Sequence, residues 1–98
     1  MFAEDVVGDW PGDPEPVRGF AAYRARIARL LDAVPDLTLE VAEHATNGNL
    51  IFIRWIARGT GADGAFEVTG MDRIRTEDGR VKENIIRYDT AALEATVG

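Results

Sequence analysis

Between residues 20 and 34 the apolar side chains fall at Phe20, Tyr23, Ile27, Leu30, Leu31 and Val34. Spacings of three and four put them on one stripe of a helix. Arg24, Arg26 and Arg29 fall outside the stripe and read as its solvated face. Gly19 ends the preceding loop. Pro35 stops the helix, because the residue before a proline is pushed out of the helical region. The period then changes to two: Leu37, Leu39 and Val41 alternate with Thr38, Glu40 and Ala42, the pattern of a half-buried strand.

A turn at 46–49 (TNGN) leads to a segment, 50–58, that is apolar on both faces. Leu50, Phe52 and Ile56 lie on one side, interrupted by Arg54, and Ile51, Ile53, Trp55 and Ala57 on the other. Both sides should be covered, one by the helix and the other by a partner subunit. A glycine-rich break over 59–64 (GTGADG) reads as a flexible turn, since it lacks the lysine and following helix of a phosphate loop. Strands follow over 66–76 and 81–89, separated by Glu77-Asp78-Gly79, and the tail 90–98 is expected to fray. Ahead of the helix, Val6 and Val7 suggest a short strand. Residues 10–17 (WPGDPEPV) carry three prolines and a glycine and cannot be regular.

One carboxylate, Asp72, sits in the middle of this strand-rich half. A two-residue Asp78-Gly79 turn sets Ile85 opposite it; a three-residue turn with Gly79 in the left-handed position of a bulge sets Asn84 there. We take the bulged turn, which groups Asp72 with Asn84, Ile86 and Tyr88, because a one-residue change of register exchanges the faces. A break between Gly59 and Gly64 is compatible with Arg54 beside Asp72. The expected concave cup then holds Phe52, Arg54, Val68, Asp72, Asn84 and Tyr88. Asp72 is either a pocket acid or the structural ion-pair partner of Arg54 or Arg73. Desolvated without a firm partner, its pKa rises into the range that general acid/base work near neutrality requires. Trp10, Phe52 and Tyr88 are either packing or aromatics that hold a flat ligand. Trp55 reads as core or interface, and His44 as a solvent-facing residue near a turn.

Composition narrows the partners. Ninety-eight residues make one domain, spanning 1–98. Seventeen acidic against eleven basic residues leave a net charge of −6, which repels phosphate backbones, so nucleic acid is not expected as a partner. With no cysteine and one histidine, neither disulfides nor a thiolate or imidazole metal site is expected, and no cofactor is implied. No apolar run approaches the roughly 20 residues of a bilayer span, so no membrane association is expected. The acidic start MFAEDVVGDW carries no secretory pattern, which makes the cytoplasm the expected location.

The order PVRG, an amphipathic helix ending in VPDL, a strand carrying IRWIARGT, and the block GMDRIRTEDGRV with a late acid at Asp89 together resemble the SnoaL-like polyketide cyclases of the nuclear transport factor 2-like superfamily. The resemblance covers nearly the whole chain. It implies a cone-shaped α+β fold of the cystatin-like kind: a strongly bent antiparallel sheet packed on an amphipathic helix, with an apolar cavity inside and homodimers formed through the outer sheet face. In the cyclases the acid matching Asp72 is a general acid/base in an intramolecular aldol closure. In ketosteroid isomerases the matching acid donates a hydrogen bond to a dienolate. The isomerase base position holds Trp10 here, with Asp9 one place early, and the cyclase histidine has no counterpart within 57–66 (ARGTGADGAF). The late Asp of limonene epoxide hydrolases falls at Ile86. Family members usually begin with two further helices, so the resemblance implies an N-terminally short SnoaL-like domain whose helix covers only part of the concave sheet.

Two functional classes follow. The first is a cyclase- or isomerase-type enzyme, or a dehydratase, binding a small hydrophobic molecule. In it Asp72 is the catalytic acid/base on a carbonyl substrate, and Arg54, Asn84, Tyr88, Phe52 and Trp10 contact that substrate, with Asn84, Arg54 or Tyr88 holding the enolate oxygen. The second is a non-catalytic ligand-binding or dimerisation module with Asp72 in a structural ion pair. In either class a homodimer is expected through an apolar stripe of Ile51, Ile53 and Trp55.

Overall fold

The computed structural model describes residues 1–89; the expected fraying of 90–98 lies outside them. Six strands and one helix follow in the order β1 (Phe2–Asp9), β2 (Val17–Arg18), α1 (Phe20–Ala33), β3 (Thr38–Asn47), β4 (Leu50–Gly61), β5 (Gly64–Glu77) and β6 (Arg80–Tyr88). The strands form one sheet in the order β2-β1-β6-β5-β4-β3, strongly curved over α1. The sheet is mixed, not wholly antiparallel: β1 runs parallel to β6, and all other neighbours are antiparallel. A parallel neighbour requires a crossover. Here the chain between β1 and β6, including α1, supplies it.

Helix α1 begins where Gly19, at φ 89°, turns the chain out of β2. The Gly19 N–H donates to Val6 O at 2.8 Å, and its carbonyl accepts the Tyr23 N–H at 2.9 Å. The predicted stripe holds, with Tyr23 and Val34 buried and Ile27 and Leu30 half-buried. Val6, Trp10, Tyr23 and Ile86 form the buried core, with Val17, Ile27, Trp55, Val81 and Tyr88 packed against it. The core sits at the β1/β6 side of the sheet, where α1 rests. Towards β3 the helix covers less, and Leu31, Leu39 and Val41 remain 46%, 64% and 55% exposed. Arg26 is not on a solvated face as expected. It bonds Asp13 through Nε at 3.0 Å and lies 5.1 Å over the Trp10 ring, fixing the proline-rich loop on the helix.

Both register expectations need correction. The β5–β6 turn is the two-residue Asp78-Gly79, with φ of 52° and 77°, the positive pair a tight hairpin requires. A bulge at Lys82 then shifts the ladder, so Asp72 faces Ile86 and Ile74 faces Asn84. The resulting offset from the expected pairing is even, so Asn84, Ile86 and Tyr88 stay on the face of Asp72. The β4–β5 hairpin is tighter than expected: Gly61 pairs with Gly64, and Ile53, not Arg54, stands opposite Asp72. That odd offset exchanges the faces of β4. Phe52 and Arg54 point to the convex side, and Ile53, Trp55 and Ala57 to the concave one. The stripe expected at a dimer interface therefore lies inside the cone.

Candidate functional site

A cavity of about 260 Å³ lies between α1 and the concave face. Ile27, Leu30, Leu31 and Val34 form its helical wall, Leu39, Ala57, Phe66 and Val68 its sheet wall, and Trp10, Tyr23, Trp55, Asp72, Asn84, Ile86 and Tyr88 its inner end. Such a chamber, apolar apart from a few convergent polar groups, is the usual form of a small-molecule site. Of the expected site residues, Trp10, Asp72, Asn84 and Tyr88 line it together. Arg54 does not. It stands on the convex face with its Nε on Glu43 Oε1 at 2.7 Å. Phe52, 38% exposed, is on that face as well.

Asp72 is held by two neutral donors. The Trp55 indole Nε1 donates to Asp72 Oδ1 at 2.8 Å, and Asn84 Nδ2 donates to Asp72 Oδ2 at 3.2 Å. Asn84 Nδ2 also donates to Tyr23 Oη at 3.1 Å. Neither arginine considered for Asp72 reaches it: Arg54 pairs with Glu43, and Arg73 with Glu83. Burial pushes the Asp72 carboxyl above its ordinary value, outweighing the donors Trp55 and Asn84, which act the other way. Burial likewise raises the Tyr23 hydroxyl, so it stays protonated. Among the described residues, Asn84 Oδ1 is buried without a partner. An unmet buried acceptor costs about 1–3 kcal/mol, which marks Asn84 as oriented by what its nitrogen serves.

Glycine makes this geometry possible. Gly70 stands directly across from Trp55, and a Cβ there would lie 2.2 Å from the indole ring. With no side chain in the way, the indole lies down over β5 and carries Nε1 to Asp72, two residues along the same face. Tyr88 meets the ring edge-on at 5.9 Å. On β1, a Cβ at Gly8 would strike Trp10 at 2.2 Å and Tyr23 at 2.8 Å, so Gly8 lets both rings settle at the inner end of the cavity. Sequence reasoning missed Trp55 and Tyr23 as site residues. The available signal for Trp55 was the pairing of an aromatic with a glycine two residues before an acid. For Tyr23 it was a polar-tipped side chain on a stripe otherwise aliphatic or phenyl.

The profile of the SnoaL-like domain family matches residues 1–84. The chain belongs to this family. Among solved structures, this SnoaL-like chain is similar to wild-type IdmH of Streptomyces antibioticus, a proposed polyketide cyclase, at 26% identity and a TM-score of 0.80 over 97% of this chain and 80% of that one. A proposed SnoaL-like polyketide cyclase of Jannaschia sp. aligns at 16% identity and a TM-score of 0.90 over 98% of this chain and 72% of that one. A ketosteroid isomerase-like fold protein of Catenulispora acidiphila, in complex with trimethylamine, aligns at 18% identity and a TM-score of 0.88 over 99% and 76% of the two chains. These last two likenesses bear on the fold alone. No curated protein is significantly similar in sequence. Among the described residues of this SnoaL-like domain, no helix is long and apolar enough to cross a membrane, and no group of three or more acidic or histidine side chains converges as metal ligands would.

Proposed function

We propose that this SnoaL-like domain binds a small hydrophobic carbonyl compound and that Asp72 acts on it as a general acid/base, in chemistry of the cyclase or isomerase type. One observation carries the reading: among the described residues, Asp72 is the only carboxylate lining the apolar cavity, is held by two neutral donors with no cation against it, and is raised above its ordinary pKa by burial. A carboxylate so placed takes a proton from a carbon beside the carbonyl. The electron pair of that C–H bond becomes the new C=C, the carbonyl oxygen takes the charge, and Asp72 returns the proton to another atom of the same molecule. The relation to IdmH, a proposed polyketide cyclase, supports the same class. A purely structural ion pair for Asp72 has no support, since Arg54 and Arg73 are engaged elsewhere.

Ligand binding is testable with the chain's own fluorescence, because it has two tryptophans and both line the cavity. Titration with the bicyclic ketone 2-tetralone should quench them saturably, and Val68→Trp or Ala57→Phe, which fill the chamber, should abolish the effect. Unsaturable quenching that is equal in the filled variants would refute the reading.

The same proposal includes a homodimer, through the convex face. Phe52 and Met71 lie there 38% and 53% exposed, among arginine–glutamate pairs that include Arg54–Glu43 and Arg58–Glu67. Met71→Glu should shift a sedimenting dimer to monomer at micromolar concentration. A wild-type chain that sediments as a monomer removes this part of the proposal.

A further inference from the structure

The hydrogen-bond inventory of the cavity leaves few groups able to receive a carbonyl oxygen. The Trp55 N–H is used by Asp72. Both protons of the Asn84 amide are used, one by Tyr23 and one by Asp72, and its oxygen can only accept. Arg54 is on the other face of the sheet. Tyr88 also lines the cavity, but among the described residues no hydrogen bond ties its hydroxyl to Asp72; the Tyr23 hydroxyl is tied to it through Asn84. Its oxygen accepts from Asn84 at 3.1 Å, and among the described residues no acceptor for its own proton is found. The Tyr23 ring is clamped between Phe2 and Trp10, each with ring centroids at 5.1 Å, over the bare backbone of Gly8. Its hydroxyl is thus a donor fixed in place before any ligand arrives, the arrangement that stabilises developing negative charge most effectively.

We propose that Tyr23 donates the hydrogen bond that holds the ligand's carbonyl oxygen while Asp72 faces the adjacent C–H. The substrate class is then a ketone, thioester or ester with an acidic α-hydrogen and an apolar body. The proposal rests on the reading of Asp72 as acid/base. Asn84 is the spacer: bonding both groups through one nitrogen, at 3.1 and 3.2 Å, it keeps Tyr23 Oη and Asp72 Oδ2 no more than about 6 Å apart. A base and a donor each reaching about 3 Å span the α-carbon and the oxygen two bonds away within that separation. Asn84 accepts an unmet buried oxygen to hold this spacing. Tyr23 transfers no proton. It stabilises the enolate oxygen by hydrogen bonding, and the α-proton moves to Asp72 and back.

The test uses 2-tetralone labelled with ¹³C at the carbonyl, bound at saturation to wild type, Tyr23→Phe and Tyr88→Phe, together with protein-dependent deuterium exchange of its α-protons in D₂O. Phenylalanine keeps the clamped ring and removes only the hydroxyl. The bound carbonyl resonance should lie downfield of the free ketone in wild type and lose that displacement in Tyr23→Phe, with exchange slowed about 10²- to 10³-fold. An undisplaced carbonyl in wild type, a displacement that survives Tyr23→Phe, or one removed by Tyr88→Phe in its place overturns the proposal. Should Tyr23→Phe fail to fold, 3-fluorotyrosine incorporated into the Tyr88→Phe chain makes the remaining phenol more acidic. The downfield displacement should then grow, and an unchanged one overturns the proposal. Exchange that survives Asp72→Asn defeats the reading of Asp72 separately, leaving the carbonyl displacement as the measure of Tyr23.

Discussion

Asp72→Asn should leave the protein as stable as wild type in acid and more stable near neutrality. In the folded chain burial raises the Asp72 carboxyl above its ordinary value despite the donors Trp55 and Asn84, so folding prefers the protonated form. For an acid with this sign, the stabilising contribution is fully present below the unfolded value, about pH 4, and is lost as pH rises through the folded pKa. Asp72 is only partly buried, so solvent screens part of the effect, and the advantage of the amide at pH 8 is expected on the scale of an ordinary single substitution, about 1 kcal/mol. Asparagine keeps the shape and the acceptor for Trp55. Its nitrogen would oppose Asn84 Nδ2, a conflict relieved when Asn84 turns its amide over and its orphaned Oδ1 gains donors. Urea denaturation of both chains from pH 4 to pH 8 reads the difference directly. Asp5 and Asp36, lowered chiefly by hydrogen bonds from Lys82 and Thr60, have the opposite sign but are common to both chains and cancel. A variant destabilised by more than about 1 kcal/mol at every pH would show instead that Asp72 is a structural partner.

Gly70→Ala should destabilise by about 1–3 kcal/mol, because the new Cβ would overlap the Trp55 ring at 2.2 Å. The tryptophan emission should change as the indole leaves Asp72; an unaltered spectrum and stability would contradict the cross-strand geometry. Trp55→Phe removes the 2.8 Å donor to Asp72 while keeping an aromatic ring against Tyr88. It should cost about 1–3 kcal/mol at neutral pH and move the titration of Asp72, followed through its carboxyl ¹³C resonance, to higher pH. A titration unmoved or shifted lower would contradict it.

The parts of this fold legible in the sequence are those where a period and a boundary agree. The helix over residues 20–34 has a clean stripe, a glycine before it and a proline after it, and it forms as Phe20–Ala33. The cone and the family followed from the order of elements and the GMDRIRTEDGRV block. Asp72, Asn84 and Tyr88 fell on one face although the turn was misassigned, because the tight turn and the bulge at Lys82 together displaced the ladder by an even number of residues. On β4 the error was odd, and it exchanged Arg54 for Trp55. That strand is apolar on both sides, so alternation could not choose a face, and only the position of the two-residue turn between Gly61 and Gly64 decides it. The roles of Trp55 and Tyr23 were illegible for a related reason: their ring bodies satisfy the apolar pattern, and their polar tips matter only once Gly70 and Asn84 are known to stand beside them.

By the proposed function, Asp72 moves a proton at the carbon beside a bound carbonyl. The most direct measure of this is the loss of the α-proton signals of 2-tetralone in D₂O, followed by ¹H NMR across pH with wild-type protein and with Asp72→Asn. Exchange should be protein-dependent, with a rate that rises with pH through the elevated titration of Asp72 and falls to the buffer rate in the variant. Exchange at the buffer rate in wild type, or equal exchange in both proteins at saturating ketone, would contradict this role of Asp72.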